Sequence, residues 1–342
     1  MVQDYIEKDG VFVIAEVGGN HEGDFNYAKK LCLDAINSGA HAVKFQTYQA
    51  DNIVSPVEGP VRNKHFKKFE LSFEQFEELA QICNEHNVEF MSSLWDKNSF
   101  DKLDPIINIH KIGSGDMTNY PLIKYMLQSG KPLIISTAMS TIEEIKHLVS
   151  FITETSPDYI TEKKLYILHC VAMYGEPKDE YAQLLSIKVL QDTFPKLTIG
   201  YSDHTIGMYA SELAVAMGAK VIEKHFTDNK DQEFRDHHIS ADMKEMQTFM
   251  TNIQKIRTLL GKYEKKPVLP IESKERIQQF RRSVYACKDI NEGEVLDESN
   301  ITTLRPNTGI DAREYYSLLG NKITQPVKKY HKIDNNIIDQ TN

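Results

Sequence analysis

KVIEKHFT, residues Lys220 to Thr227, opens on apolar, β-branched positions and ends on charge and imidazole. Seven other stretches share this character: VFVIAEVG (11–18), AVKFQTY (42–48), EFMSSL (89–94), INIHKIGSG (107–115), PLIISTA (132–138), LYILHCVA (165–172) and LTIGYSDH (197–204). Between them run segments such as FNYAKKLCLDAINSG, FEQFEELAQICNEHN and TIEEIKHLVSFITE, with apolar residues at helical spacing. Nearly continuous apolar strands, each followed by a helix, predict an α/β fold with parallel strands covered on the outside. Eight such units in about 250 residues match a (β/α)8 TIM barrel.

A doubly wound open sheet is the main rival, and periodicity alone does not exclude it. The polar residues favour the barrel. They gather at the carboxyl ends of the strands: Glu16, Lys44 and Gln46, Ser92 and Ser93, Lys111 and Ser114, Ser136, His169, Ser202 to His204, and Glu223 to His225. A barrel closes those ends into one ring, whereas an open sheet spreads them along a line.

A last helical stretch with Met246, Phe249, Met250, Ile253 and Ile256 runs to Gly261, so the barrel domain is expected over 1–261. KYEKKPVLPIESKERIQQF carries two prolines and many charges, and 262–281 reads as a linker. The remainder, 282–342, has short strand signals, an Asn-Glu-Gly turn and a Pro-Asn-Thr-Gly loop, the pattern of a small β-rich module. A module of about 60 residues is marginal alone, which favours docking onto the barrel or a partner chain.

Composition limits the function classes. The 342 residues are 41% hydrophobic and 26% charged, and the mean hydropathy is −0.43, as in an ordinary globular protein. No apolar run is long enough to span a bilayer, and MVQDYIEKDG has no export signal. Cys32, Cys83, Cys170 and Cys287 are far apart in sequence and lack CxxC spacing, arguing against a zinc knuckle or a disulfide framework. A cytoplasmic protein with reduced thiols is expected. The net charge of −9 argues against nucleic-acid binding, so any anion must be met in a local basic pocket.

Several residues invite a chemical reading. His204 and His225 end adjacent strands, and in a barrel two imidazoles so placed suit a divalent metal with open positions. Each satisfying a backbone group is the plain structural alternative. Lys44 and Lys111 lie inside apolar strands, with Ser93, Ser114, Ser136 and Ser202 at similar depth, the donors that a phosphate or a phosphorylated carboxylate requires. A lysine inside an apolar strand needs a partner. Glu16 is placed to meet a substrate hydroxyl, and a buried pair with a lysine accounts for it equally well. Asp116 is offered as a further metal ligand or a base. His21 and Glu22, and Arg235 to His238, lie on loops whose polarity alone explains them, although the latter loop is placed to close over a substrate.

The chain resembles the sialic acid synthase family, which includes N-acetylneuraminate, legionaminate and pseudaminate synthases. The resemblance rests on AEVG (15–18), NHEG (20–23), VKFQT (43–47), KIGSG (111–115), ISTAM (135–139), LHC (168–170) with Tyr174, GYSDHT (200–205) and EKHF (223–226). In the tail, RSV (282–284), KDI (288–290), EGE (292–294) and Arg305-Pro306 look like the family's antifreeze-like (SAF) domain. The resemblance implies a transferase that condenses phosphoenolpyruvate with an open-chain N-acylated hexosamine or related aldose. The products are a 2-keto-3-deoxy sugar acid and phosphate. It implies a divalent metal, Mn2+ or Mg2+, held by His204 and His225, and phosphoenolpyruvate held by Lys44, Lys111, Ser114, Ser136 and Ser202. Glu16, Gln46, Tyr174 and Asp236 are implied to contact the sugar. Arg305 is implied to reach a partner subunit's active site in a homodimer with swapped tails. Glu16 and Asp116 both remain open as the proton acceptor.

Four departures from the family pattern concern substrate loops. Ser92-Ser-Leu-Trp95 stands for Ser-Thr-Pro-Phe, and Ala172-Met-Tyr-Gly-Glu-Pro177 lacks an expected Asn. Glu233-Phe-Arg-Asp-His237 stands for Pro-Gly-Pro-Asp-His, and Arg305-Pro-Asn-Thr-Gly309 for Arg-Pro-Gly-Asn-Gly. The metal and lysine set is intact, so the same condensation is expected with a sugar that need not be N-acetylmannosamine. A barrel aldolase making 3-deoxy-heptulosonate or 3-deoxy-octulosonate phosphates is the enzymatic rival, with Arg235 as the basic candidate for the acceptor's phosphate. A non-catalytic carbohydrate- or ice-binding protein leaves the strand lysines without a use.

Overall fold

The computed structural model of the chain describes residues 2–173, 176–233, 236–261 and 266–339. Strands β1 (Phe12–Gly18), β2 (Ala42–Thr47), β3 (Glu89–Leu94), β4 (His110–Ile112), β5 (Leu133–Ser136), β6 (Leu165–Cys170), β7 (Thr198–Asp203) and β8 (Val221–His225) form a closed parallel barrel. Pairing of β8 with β1 closes the ring and decides against the open sheet. All eight expected strands are present. β4 is shorter than its apolar run because 3-10 turns, Asp104–Ile106 and Ser114–Asp116, flank it.

The strand period of two then determines what faces the lumen. Phe12, Ile14, Ala42, Met91, Ile109, Ile134, Tyr166, Leu168 and Val221 form the inner core. Helix Val2–Asp9 packs Val2, Tyr5 and Ile6 against this cluster, so the amino-terminal end of the barrel is plugged by apolar side chains. Two residues further along each strand come Glu16, Lys44, Ser93, Lys111, Ser136, Cys170 and Glu223. The lumen thus changes from apolar to ionic within one layer. Gly200 fits between: a Cβ there would lie 2.4 Å from the Val221 carbonyl oxygen and 2.5 Å from Leu168 Cδ2.

The opposite faces of the strands meet an outer shell of helices. Examples are Phe25–Asn37, Phe73–Glu85, Ile142–Thr155 and Met243–Leu260, whose apolar stripes join one large core with Val13, Val43 and Ile135. Reciprocal capping boxes, Ser72 with Gln75, Thr141 with Glu144 and Asp242 with Glu245, start three of these helices. Helices Phe25–Asn37 and Phe73–Glu85 bring Cys32 and Cys83, distant in sequence, to an Sγ–Sγ separation of 3.5 Å as free thiols.

The chain divides into two compact units, Met1–Gly261 and Lys262–Asn342. The second has its own core, including Val284, Ala286, Ile290, Leu296, Ile301, Ile323 and Ile333. Its only extended ladder among the described residues is antiparallel, β9 (Ser283–Ala286) with β10 (Ile301–Leu304). Helix Lys274–Phe280 lies within the stretch expected as a linker.

Candidate active site

The ionic layer at the carboxyl ends is built as a closed network. Lys44 Nζ lies 2.7 Å from Glu16 Oε2 and 3.6 Å from Glu223 Oε2, and donates to Ser93 Oγ at 3.2 Å. Lys111 Nζ donates to Ser136 Oγ at 2.8 Å and to the Ile112 carbonyl at 3.0 Å, and lies 3.7 Å from Glu223 Oε1. Gln46 Nε2 donates to Glu16 Oε1 at 3.0 Å, and Ser202 Oγ to Glu223 Oε1 at 3.0 Å. Glu16, Lys44, Lys111 and Glu223 are all buried. Leaving one such ion unpaired costs several kcal/mol, which explains why two lysines arrive with two carboxylates.

The charges are unequally settled. Burial pushes the Glu16 carboxyl up, against the pull of Lys44 and with repulsion from Glu223. Burial also opposes the Glu223 anion, but Lys111, Lys44 and the Ser202 hydroxyl outweigh it and hold that carboxyl well down. Burial depresses the Lys111 ammonium despite Glu223. For Lys44 the same burial is overcome by Glu16 and Glu223, and its pKa rises. Lys111 is therefore the cation with most to gain from an arriving anion.

His225 ends β8 and His204 follows β7, with ring centroids 5.2 Å apart and planes at 68°. His225 Nδ1 is buried and has no hydrogen-bond partner. His204 Nδ1 lies 3.7 Å from Cys170 Sγ. Burial favours neutral His204, yet the neighbouring Cys170 reverses this and carries its pKa to about 9. Burial likewise raises the Cys170 thiol, and His204 more than offsets it. His225 is held well below the usual imidazole range by burial, then by His204 and Lys44. Among the described residues no three His, Cys, Asp or Glu side chains converge as a metal cage, so the protein offers two imidazoles.

The remaining candidates are spread around this centre. Ser114 Oγ accepts from the Ala138 N–H at 2.9 Å, joining the turns after β4 and β5. Asp116 is half-buried in the turn after β4, accepts from Asn119, and has its carboxyl raised by burial. The Asp236 carbonyl accepts from Ser240 Oγ at 2.6 Å, where the loop after β8 turns back. Arg305 is exposed in the second unit, its guanidinium 6.0 Å from the Phe280 ring. Ser283 and Tyr285 donate to the carbonyl of Pro306, which follows it. Tyr174 and Arg235 lie outside the described residues.

Sequence reasoning did not single out Glu223 or Cys170 as site members. The two-residue period pointed to both: Glu223 shares a face with His225, and Cys170 with Leu168. Glu22 and His237 also proved more than loop polarity. His237 is buried, with Nδ1 2.6 Å from Thr227 Oγ1 and Nε2 3.3 Å from Glu22 Oε1. Asn20 Nδ2 donates to the Phe226 carbonyl and to Ser240 Oγ. These bonds lock the loop after β1 to the loop after β8.

The chain has counterparts among known proteins. The NeuB family model matches residues 31–265, and the SAF domain model residues 281–329. N,N'-diacetyllegionaminic acid synthase of Campylobacter jejuni is 36% identical over 330 residues, 93% of this chain and 97% of that protein. The N-acetylneuraminic acid synthetase structure from Leptospira borgpetersenii superposes with a TM-score of 0.71 at 32% identity, covering 78% of this chain and 90% of that one. The spore coat polysaccharide biosynthesis protein SpsE structure from Bacillus subtilis gives 0.62 at 31% identity, covering 97% and 96%. With a family match over most of its barrel and these relatives along nearly its full length, the chain belongs to the NeuB family and carries a SAF domain after the barrel.

Proposed function

We propose that the protein is a nonulosonic acid synthase that joins phosphoenolpyruvate to an N-acylated hexosamine or related aldose. The observation that carries this reading is the buried Lys44–Lys111 pair in the lumen of a NeuB-family barrel, beside two imidazoles. Relatives named as legionaminic and pseudaminic acid synthases support the substrate class.

Lys44 and Lys111 bind the phosphate and carboxylate of phosphoenolpyruvate, with Ser93, Ser114, Ser136 and Ser202 supplying hydroxyls. The anion displaces part of their interaction with Glu16 and Glu223, so the site is neutral overall before substrate arrives and needs no basic surface outside. Phosphoenolpyruvate C3 forms a bond to the aldehyde carbon, whose oxygen gains a proton. Water adds to C2 and gives up one proton; the bond from C2 to the phosphate oxygen then breaks while the new hydroxyl passes its remaining proton to the departing phosphate, leaving the 2-keto acid. We assign the proton steps to Glu16, whose raised pKa suits transfer near neutral pH, rather than to Asp116, which is engaged in its own turn. Gln46, Tyr174 and Asp236 orient the sugar.

The donor set fits a divalent ion: His225 has a buried ring nitrogen without a hydrogen-bond partner, the His204 ring lies 5.2 Å away between centroids, and these two imidazoles would hold Mn2+ or Mg2+ with positions left for water and substrate oxygens. When bound, such an ion is a Lewis acid toward the aldehyde oxygen. We further propose that Arg305, exposed in the second unit, reaches a partner subunit's site in a homodimer with swapped tails. No helix among the described residues is long and apolar enough to cross a membrane, and we place the reaction in the cytoplasm.

Phosphate release from phosphoenolpyruvate is measured with Mn2+ and a panel of acceptors: N-acetylmannosamine, its 6-deoxy diacetamido relatives, mannose and arabinose 5-phosphate. Release with an N-acylated acceptor, abolished in His225→Ala, is expected. Release with arabinose 5-phosphate alone, or folded protein that neither binds phosphoenolpyruvate nor releases phosphate, overturns the proposal.

A further inference from the structure

Asp203 and Lys224 stand opposite each other on β7 and β8, each one residue before a lumen histidine. The strand alternation turns them to the face opposite Ser202 and Glu223, behind the barrel wall. Both side chains are wholly shielded from solvent, with Lys224 Nζ 3.3 Å from Asp203 Oδ2. The carboxylate also accepts from the Thr205 N–H and the Thr205 hydroxyl, each at 2.8 Å, from Ser211 Oγ at 2.7 Å and from the Tyr201 hydroxyl at 3.3 Å. Lys224 Nζ donates to the Thr205 carbonyl at 2.5 Å.

These contacts bracket His204. The β7–β8 ladder ends at the Asp203–Lys224 rung, so His204 lies just beyond the last regular pairing. The residues on either side of it are nevertheless held: Asp203 by five donors, Thr205 by both Asp203 and Lys224. On the other strand, the His225 carbonyl accepts from the Ala241 N–H at 2.7 Å, and the Phe226 N–H donates to the Glu16 carbonyl at 2.7 Å. The lysine thereby ties the turn that carries His204 to the strand that carries His225. An apolar pair of similar volume often stabilises a core as well as a buried ion pair, so stability does not by itself account for these two residues.

We propose that Asp203 and Lys224 are positioning residues that hold His204 and His225 at the separation needed for both to bind one metal ion. The inference rests on the reading of those histidines as metal ligands.

The test uses the full-length protein and Mn2+ alone, with free Mn2+ followed by electron paramagnetic resonance and folding by circular dichroism. Lys224→Met breaks the link to Thr205. The double variant Asp203→Asn, Lys224→Met breaks the same link without leaving an unpaired buried charge, and it carries the test if the single variant does not fold. Both are expected to bind Mn2+ at least ~10-fold more weakly, the loss typical when the support of a metal ligand is removed. A purely structural pair would lower the melting temperature and leave the Mn2+ affinity of the folded protein unchanged, and that result overturns the proposal. His204→Ala and His225→Ala separate the two failures: if both bind Mn2+ as the parent does, the ligand assignment itself is wrong.

Discussion

Lys44 Nζ and Glu16 Oε2 are 2.7 Å apart on neighbouring strands, and both side chains are almost wholly hidden from solvent. Such a pair is a reserve of charge that a substrate anion can reorganise without first gathering ions from water. It also separates two roles. Glu16→Gln keeps the volume and an acceptor oxygen but removes the transferable proton. It is expected to lower kcat by ~10²-fold or more while leaving phosphoenolpyruvate affinity within a few-fold, the signature of lost acid–base work. Unchanged kcat would transfer that role to Asp116.

Burial lowers the pKa of Lys111, whereas Glu16 and Glu223 raise that of Lys44 beside it. Lys111→Met should therefore raise the dissociation constant of phosphoenolpyruvate by ~10- to 100-fold, the range for a lost charge-assisted hydrogen bond. Calorimetric titration reads this directly. Parent-like affinity would remove Lys111 from the anion site.

Trp95 is the only tryptophan in the chain, and it stacks on Tyr48 at the rim with ring centroids 4.9 Å apart. An ideal Cβ on Gly113, between Lys111 and Ser114, would lie 3.8 Å from its Nε1. Phosphoenolpyruvate binding is expected to change its emission saturably, and Lys111→Met should shift the titration to higher concentration. A flat emission trace alongside calorimetric binding would place the anion elsewhere.

Gly200 has no room for a side chain in the lumen. Gly200→Ala forces a methyl group onto the β8 backbone and Leu168, and the expected loss is ~1–3 kcal/mol, as for other overpacked cores. Thermal or denaturant unfolding measures it. An unaltered midpoint would show that the barrel wall yields at this point.

His110, on β4, is buried with Nε2 2.8 Å from Asp104 Oδ1. Burial lowers its pKa to about 4 in spite of Asp104. In the unfolded chain the imidazole titrates near ~6.5. Between these values the unfolded state binds a proton that the folded state refuses. The stabilising contribution is complete above about pH 6.5 and lost as pH falls through about 4, a change of ~3 kcal/mol. Denaturant unfolding across that window should show a flatter pH dependence in His110→Gln. An identical slope in the variant would assign the loss to other groups.

The barrel and most of its ionic ring are legible in the sequence, because inward and outward positions on a strand alternate locally. Lys44 and Lys111 follow two residues after Ala42 and Ile109 regardless of what the rest of the chain does. The helix at Val2–Asp9 was not legible in this way, since its short apolar stripe acquires meaning only against the open end of a barrel. The role of Glu223 was hidden for a related reason: its lysine partners come from β2 and β4, which no local pattern brings toward β8.

By itself, then, the sequence determined the eight strands, which side of each faces inward, and the depth at which the apolar lumen turns ionic, all properties of spacing along one segment. The lateral pairing of the strands and the closure of β8 onto β1 were tertiary decisions, and together they set the pairing of Glu16 with Lys44, the sharing of Glu223 between two lysines, the approach of His204 to Cys170, and the Asp203–Lys224 clamp behind the wall. Contacts between strands depend on which strands become neighbours and at what register, and that is fixed only when the whole ring closes around its packed core.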